Sequence, residues 1–339
     1  GQVLEDHELL KNYIMRYIRP QNQEKIDEVK ELWADMDKKL GTNIKRFFKH
    51  YASHKYKATP KSSIYKIIFE GTHKEGNINA LFEDIMLKTN YYLSILECND
   101  LFLDVEKKVF QFFKDKKAEQ FRPIILSLMH QKDLQNITDE EYASLIEFIY
   151  VFYICYNIIG EEKSNKLEEP IYKYAPILEN DFSKNEINNF KVSLAKRLPS
   201  QDVFIGIFKN IGWSNYTEFY HSDKNKARVK IILELLEIHL GGRALDDNYT
   251  IEHILPDSES EKNAIIGNLL PSEENLNALC KNKPLLEKLP IYKRSNYAIT
   301  RNFANRQENI AQEFDPEKRN SYLGKLLYDE ILGIQEYNS

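Results

Sequence analysis

The sequence has few cysteines and no long apolar run. Its 339 residues contain three cysteines, at positions 98, 155 and 280, and no CxxC pair. This argues against a disulfide framework and against a four-cysteine zinc site, and we expect a reducing, cytoplasmic setting. No run of eighteen apolar residues occurs, so no membrane span is expected, and the acids Glu5 and Asp6 argue against a secretory signal.

Repeats and glycine-rich phosphate loops are also missing from the sequence. No fixed period of 20–50 residues is found, which argues against a solenoid. Without a glycine-rich phosphate loop, we do not expect this chain to hydrolyse nucleotides by itself.

The net charge of -5 conceals segments of strong local charge. Residues 38–66 contain nine Lys/Arg and no acid, interleaved with tyrosine and phenylalanine. Residues 246–275 contain eight Asp/Glu and one lysine, whereas residues 281–306 contain seven Lys/Arg and one acid. An acidic segment followed by a basic one suits a metal-dependent nuclease, because carboxylates hold a cation and nearby cations hold phosphates.

Two interpretations of residues 38–66 are equally supported by the sequence. The segment is either a DNA-tracking face or an amphipathic helix with buried aromatic residues and solvated lysines.

Apolar residues recur at helical spacing up to about residue 240. The segment QEKIDEVKELWADMDKKL places apolar residues three and four apart, and Gly41 then predicts a helix end. Three further segments, at residues 77–96, 142–159 and 226–240, show the same spacing. We therefore predict a mainly α protein with an irregular helical bundle over residues 1–240.

The periodicity changes after Gly241 and Gly242. Residues 248–256, NYTIEHILP, alternate like a short strand, and residues 266–270 predict a second strand after a polar loop. A helix is predicted to begin at Pro271 with Ser272 as its N-cap. We predict a small ββα domain within residues 241–339, closed by an amphipathic helix from Pro316.

The motifs EHILP, IGNLLP and ENLNALCKNK resemble the HNH domain of GmrSD-type modification-dependent restriction enzymes and their SspE-type relatives. LLKNYIM, near the start, resembles the end of the NTPase domain in that family, and RFFKHYASHKY with SSIYK resembles its helical linker. The resemblance implies a ββα-metal nuclease acting on DNA. It also implies an N-terminal ParB/Srx-like NTPase or sensor domain on a longer chain or on a partner.

Four residues of these motifs are candidates for the chemistry. A neutral imidazole titrates near the operating pH, so His253 suits the general base that activates water. Glu252 and Asn277 offer oxygen ligands, which favour Mg²⁺ or Mn²⁺. The resemblance implies the Glu252 and Asn277 positions as metal ligands, and for Asn268 it implies orienting the imidazole or tying the loop. Glu252 and His253 are adjacent on a strand, so they share a site only if the strand bends there.

A second set of polar residues follows the motif in the basic segment. Phosphate or second-shell contacts are predicted for Asn282, Lys283, Lys288, Lys293 and Arg294. The alternative to an endonuclease is a catalytically inactive HNH-fold module that binds DNA or regulates, and a third possibility is an RNA-directed nuclease. A homodimer that cuts both strands is compatible with the sequence.

Overall fold

The computed structural model describes residues 3–18, 23–57, 63–75, 77–310 and 313–333. Lys61 of the basic stretch and the last six residues of the predicted ββα domain lie outside the described residues. The chain divides into two compact units, Gly1–Tyr150 with Lys163–Leu194, and Val151–Glu162 with Ala195–Ser339. The predicted boundary between residues 240 and 241 falls inside the second unit.

The described residues of the first unit form helices joined by turns and loops. Its helices are α1 (Asp6–Tyr17), α2 (Gln23–Leu40), α3 (Ile44–Lys55), α4 (Ile64–Glu75), α5 (Ile78–Glu97), α6 (Asp104–Asp115), α7 (Arg122–Asp133), α8 (Asp139–Tyr153), α9 (Glu168–Asn180) and α10 (Lys184–Ala195). A π-helical segment, Ile154–Ile159, continues α8, and this segment and the last three residues of α8 are assigned to the second unit.

The second unit combines helices with a two-stranded sheet. Its elements are α11 (Gln201–Phe208), α12 (Asp223–Gly241), β1 (Thr250–His253), β2 (Leu269–Ser272), α13 (Glu274–Cys280), α14 (Leu285–Tyr292), α15 (Ala298–Glu308) and α16 (Pro316–Lys325). A π-helical segment, Leu326–Ile331, follows α16. The mainly α prediction is confirmed, and β1, β2 and α13 follow one another in the predicted order.

The strand and cap predictions need correction in detail. β1 covers four of the nine residues predicted, and residues 266–268 form a 3-10 turn before β2 begins at Leu269. Ser272 is not a helix cap: it pairs with Thr250 as the last residue of β2, and Glu273 is the N-cap of α13. Ser272 is drawn into the strand because its carbonyl accepts a hydrogen bond from Thr250 Oγ1 at 3.0 Å.

Aromatic side chains form much of the core of the first unit. On α3, Phe47 and Phe48 are buried, whereas Lys45 and Lys49 are exposed. Phe47 packs edge-on against Tyr92 of α5, with ring centroids 5.3 Å apart. This is the arrangement that the amphipathic-helix interpretation predicts, and the DNA-tracking interpretation stays a prediction.

Within the described part of the chain, one helical stretch, residues 139–159, is long and apolar enough to cross a membrane by length and composition alone. Its most apolar window is 72% buried inside the protein, which is the pattern of a core helix. The sequence expectation of no membrane span is compatible with this burial.

Candidate functional site

The predicted catalytic residues lie on the β1–β2 hairpin and the loop that joins its strands. The strands pair antiparallel, with His253 opposite Leu269 and Glu252 opposite Leu270. The backbone N–H of Ile254 donates to the carbonyl of Asn268 at 2.9 Å, which extends the pairing one residue beyond His253. His253 is therefore held at the end of a strand, where the chain leaves the ladder.

The His253 ring is oriented by a backbone carbonyl. Its Nε2 atom lies 2.8 Å from the oxygen of Trp213. Because a carbonyl oxygen only accepts, Nε2 must carry the proton, and the neutral ring then has its lone pair on Nδ1. Among the residues that the structure describes, none forms a hydrogen bond with Nδ1. The geometry leaves that atom free to accept a proton.

A carboxylate lies beside the same nitrogen. Asp257 Oδ2 is 3.7 Å from His253 Nε2, and both side chains are mostly buried. Ser214 Oγ and the Asn215 N–H donate to this oxygen at 3.0 and 3.1 Å, which fixes the carboxylate in place. An anion at this distance stabilises an imidazolium once the ring has accepted a proton.

Glu252 is held in a buried ion pair. It is 4% exposed, and its Oε1 accepts from Lys288 Nζ and Tyr292 OH, each at 2.8 Å. Burial and the Glu252 charge raise the pKa of Tyr292 above its usual range, so the hydroxyl keeps its proton. Lys288, predicted as a phosphate contact, is 1% exposed and also donates to the carbonyls of His253 and Ile254 at 2.8 and 3.2 Å.

Asn268 ties the loop after β1 to the residues before β2. The side chain is fully buried, and its Oδ1 accepts from the Leu255 N–H at 2.9 Å. Its Nδ2 donates to the carbonyls of Leu255 and Asn263 at 2.8 and 2.7 Å. Of the two roles predicted for Asn268, these contacts are those of a loop tie.

Asn277 lies on α13 beside the start of β1. Its Nδ2 donates to Thr250 Oγ1 at 2.7 Å, and Thr250 in turn donates to the carbonyl of Ser272. Its Oδ1 accepts no hydrogen bond from any described residue. Asn277 thus contacts β1 two residues away from Glu252.

Most of the predicted phosphate contacts are accessible. Asn282, Lys283, Lys293 and Arg294 are exposed, in contrast to Lys288. Lys293 is paired with Glu308 of α15. Lys281, just before this set, is the C-cap of α13 and has a positive φ of 36°.

Two residues of α16 hold the loop of the hairpin in place, and neither was predicted from the sequence. Arg319 Nη1 donates to the carbonyls of Gly267 and Leu269 at 2.8 and 2.9 Å, and burial lowers the pKa of its guanidinium to about 10. Asn320 Oδ1 accepts from the Gly267 N–H at 3.0 Å. A Cβ at Gly267 would lie 2.1 Å from the carbonyl oxygen of Pro316, so only glycine fits against α16.

The other functional residues missed by sequence reasoning are Trp213 and Asp257. Asp257 carried a weak signal, since it follows His253 by four residues in the acidic segment. Trp213 lies 40 residues before His253 and contacts it through a backbone carbonyl, so no pattern of residue types could have identified it.

Among the described residues, one group of three His, Cys, Asp or Glu side chains lies close enough to hold a metal ion. It consists of His54, Asp84 and Glu179 in the first unit. Lys88 Nζ already lies 2.9 Å from Asp84 and 2.5 Å from Glu179, and Lys55 pairs with Asp84 at 3.1 Å. The two ammonium groups balance the two carboxylates, so these side chains already form a buried ion-pair network. Two of its buried atoms, His54 Nε2 and Glu179 Oε2, have no hydrogen-bond partner and lie 3.8 Å apart.

The second unit thus brings together a mostly buried histidine, two amides and a buried carboxylate on a hairpin followed by a helix. Residues 213–326 match the family described as GmrSD restriction endonucleases, C-terminal domain. The match confirms the predicted resemblance for this third of the chain and is consistent with the C-terminal region of a GmrSD-type restriction endonuclease. The family indicates nuclease activity on DNA.

No curated protein matches the chain. The likeness predicted for LLKNYIM and RFFKHYASHKY lies outside residues 213–326 and stays a prediction.

Proposed function

We propose that the second unit is a metal-dependent HNH DNA endonuclease or nickase, and that the chain is the C-terminal part of a modification-dependent or anti-phage restriction protein. The family match at residues 213–326 and the order β1, β2, α13 support this proposal. The observation that carries it is the His253 ring, whose Nε2 donates to the Trp213 carbonyl while Nδ1 has no hydrogen-bond partner in the described part of the chain.

His253 acts as the general base. Its Nδ1 accepts a proton from water, and the resulting hydroxide attacks the phosphorus of a DNA phosphodiester. The positive charge that develops on the ring is stabilised by Asp257, 3.7 Å from Nε2. The bond from phosphorus to the 3′ oxygen breaks and the departing oxygen takes a proton from solvent water, which gives a 5′ phosphate and a 3′ hydroxyl.

Glu252 and Asn277 are the proposed ligands of Mg²⁺ or Mn²⁺. Asn277 Oδ1 accepts no hydrogen bond from the described residues and can bind an ion without losing a contact. Glu252 Oε1 is used by Lys288 and Tyr292, so Oε2 is the oxygen that remains for an ion. Oxygen donors fit these hard cations, and a bound ion supplies positive charge for the phosphoryl oxygens and the leaving oxygen.

The proposal extends to partners outside the described site. The exposed residues Asn282, Lys283, Lys293 and Arg294 would contact DNA phosphates. We place the NTPase or sensor domain upstream on a longer chain or on a partner, in the cytoplasm. A homodimer would allow both strands to be cut.

Nicking of supercoiled plasmid tests the catalytic proposal. With Mg²⁺ or Mn²⁺, the wild type should give nicked circles, and His253→Ala should reduce the rate by about 10²- to 10⁴-fold, the usual contribution of a general base. His239→Ala is the matched control, because His239 is a surface histidine of α12 in the same unit. Equal rates for His253→Ala and His239→Ala would remove His253 from the mechanism.

One observation favours the alternative of an inactive HNH-fold module that binds DNA or regulates. The Lys288 ammonium 2.8 Å from Glu252 opposes a cation at that carboxylate. If wild type and His253→Ala both bind DNA and neither nicks it with either metal, the inactive module is the correct interpretation. Structured RNA in place of the plasmid tests the RNA-directed alternative.

A further inference from the structure

The first unit contains a cationic cleft that the nuclease proposal does not use. It has a volume of about 650 Å³ and lies among α2, α3, α5, α6 and α7. Five cations and two acids line it, which gives it a net positive charge within a protein of net charge -5. The cations are Lys39, Arg46, Lys114, Lys117 and Arg122, and the acids are Glu97 and Glu119.

Two of the cations are held in place by one carboxylate. Arg46 Nη1 and Arg122 Nη1 lie 2.9 and 3.5 Å from the same Glu119 oxygen. Arg122 also donates to Tyr92 OH at 3.0 Å and stacks over the Tyr92 ring at 5.3 Å. The side chain of Arg122 is only 12% exposed, so its guanidinium is positioned before any ligand arrives. One carboxylate between two guanidinium groups leaves one positive charge uncompensated.

Two further cations are free to meet an anion. Lys114 and Lys117 form no ion pair with any residue that the structure describes. Lys117 has a φ of 54°, the left-handed region that ordinarily favours glycine at a helix end. The chain therefore carries a lysine side chain into the cleft at a position where the backbone alone would select glycine.

The rest of the cleft lining is mostly apolar. Leu93 and Leu96 of α5 are half-buried there, and Phe110, Phe113 and Phe121 also line it. Cations and apolar side chains that line the same cleft suit a ligand that has both phosphates and a flat ring. The volume falls within the range of small-molecule sites.

We propose that this cleft binds a nucleoside phosphate, with the phosphates on Arg122, Lys114 and Lys117 and the ring on the apolar wall. The ligand is either a free nucleotide or a nucleotide of a DNA strand, since both present the same chemistry. The binding is independent of His253 and of the nuclease proposal.

Calorimetric titration of the full chain with ATP in EDTA tests the proposal, because chelation removes any metal-bridged binding. We expect Lys114→Gln/Lys117→Gln to weaken ATP binding at least about tenfold, and added salt to weaken it further. Lys25→Gln/Lys184→Gln is the matched control: both lysines are exposed surface residues of the same unit, and neither lines the cleft. The control should bind ATP like the wild type.

Lys117→Gly separates binding from folding. Glycine adopts a positive φ without strain, so this variant should melt at or above the wild-type temperature and still bind ATP more weakly. The proposal is overturned if both this variant and Lys114→Gln/Lys117→Gln bind ATP as tightly as the wild type. It is also overturned if the wild type binds neither ATP nor an oligonucleotide.

Two further titrations identify the ligand. Inorganic pyrophosphate should bind at least about tenfold more weakly than ATP if the apolar wall holds a ring, and equal affinity overturns the nucleoside part. If a single-stranded oligonucleotide binds more tightly than ATP, and this higher affinity is lost in Lys114→Gln/Lys117→Gln, the ligand is a nucleotide of a DNA strand. Tighter binding of ATP identifies a free nucleotide.

Discussion

Replacing Lys288 with methionine should destabilise the second unit by about 3–5 kcal/mol, the cost of removing one partner of a buried ion pair. The three N–H groups of Lys288 are all used, by Glu252 Oε1 and by the carbonyls of His253 and Ile254. Methionine fills a similar volume and donates nothing. Glu252, 4% exposed, would then keep Tyr292 OH as its hydrogen-bond donor and lose its countercharge.

The destabilisation should be relieved when the unpaired charge is removed. Adding Glu252→Gln to Lys288→Met should restore part of the loss, because an amide needs no countercharge. The double variant should therefore be more stable than Lys288→Met alone.

Urea unfolding followed by tryptophan fluorescence measures the effect, since Trp213 lies in the second unit beside His253. Lys262→Met is the matched control: this lysine is exposed and pairs with Glu317 at 3.4 Å, so its loss should cost less than about 1 kcal/mol. A Lys288→Met deficit below about 1 kcal/mol, with no recovery on adding Glu252→Gln, would refute the ion-pair reasoning.

Three further predictions concern single side chains. Gly267→Ala should destabilise the second unit by several kcal/mol in thermal melts, because the new Cβ would clash with the carbonyl of Pro316. The control is Gly206→Ala, where the Cβ meets no atom within 4 Å, and this helical substitution should stabilise the unit by about 0.5–1 kcal/mol. Burial lowers the pKa of His50 to about 3 in the folded protein, below its unfolded value, so stability should fall as pH drops from about 6.5 to about 3. His50→Gln should flatten this fall by up to about 1.4 kcal/mol per pH unit in urea titrations, and an unchanged slope contradicts the assignment. In Asn268→Asp the new carboxylate cannot donate to the two carbonyls that Asn268 Nδ2 contacts. The variant should therefore have a lower melting temperature and nick plasmid more slowly. A melting temperature equal to that of the wild type contradicts the loop-tie role.

Local patterns predicted the helices well. The apolar spacing of QEKIDEVKELWADMDKKL predicted a helix over 23–40, and α2 has these bounds. Gly41, with a φ of 51°, marks its end as expected. A single helix buries one stripe against its neighbours, so its residues alone carry the signal.

The hairpin was predicted less well, because its bounds depend on contacts between distant residues. Ser272 has the chemistry of an N-cap, but Thr250, 22 residues earlier, holds it in β2. Glu252 has the chemistry of a metal ligand, and only the fold shows Lys288 beside it, 36 residues later. Residue types reveal which chemistry is possible, whereas the partners that decide between roles are set by tertiary packing.

The contacts of α16 with the hairpin affect the order in which the second unit can fold during synthesis. Gly267 and Leu269 are synthesised before α16, and their carbonyls await Arg319, about 50 residues later in the chain. The loop behind His253 therefore cannot be completed until α16 has emerged from the ribosome. A chain that stops before α16 should remain without an ordered hairpin, so an unfinished copy would lack the ordered site that the proposed nuclease needs.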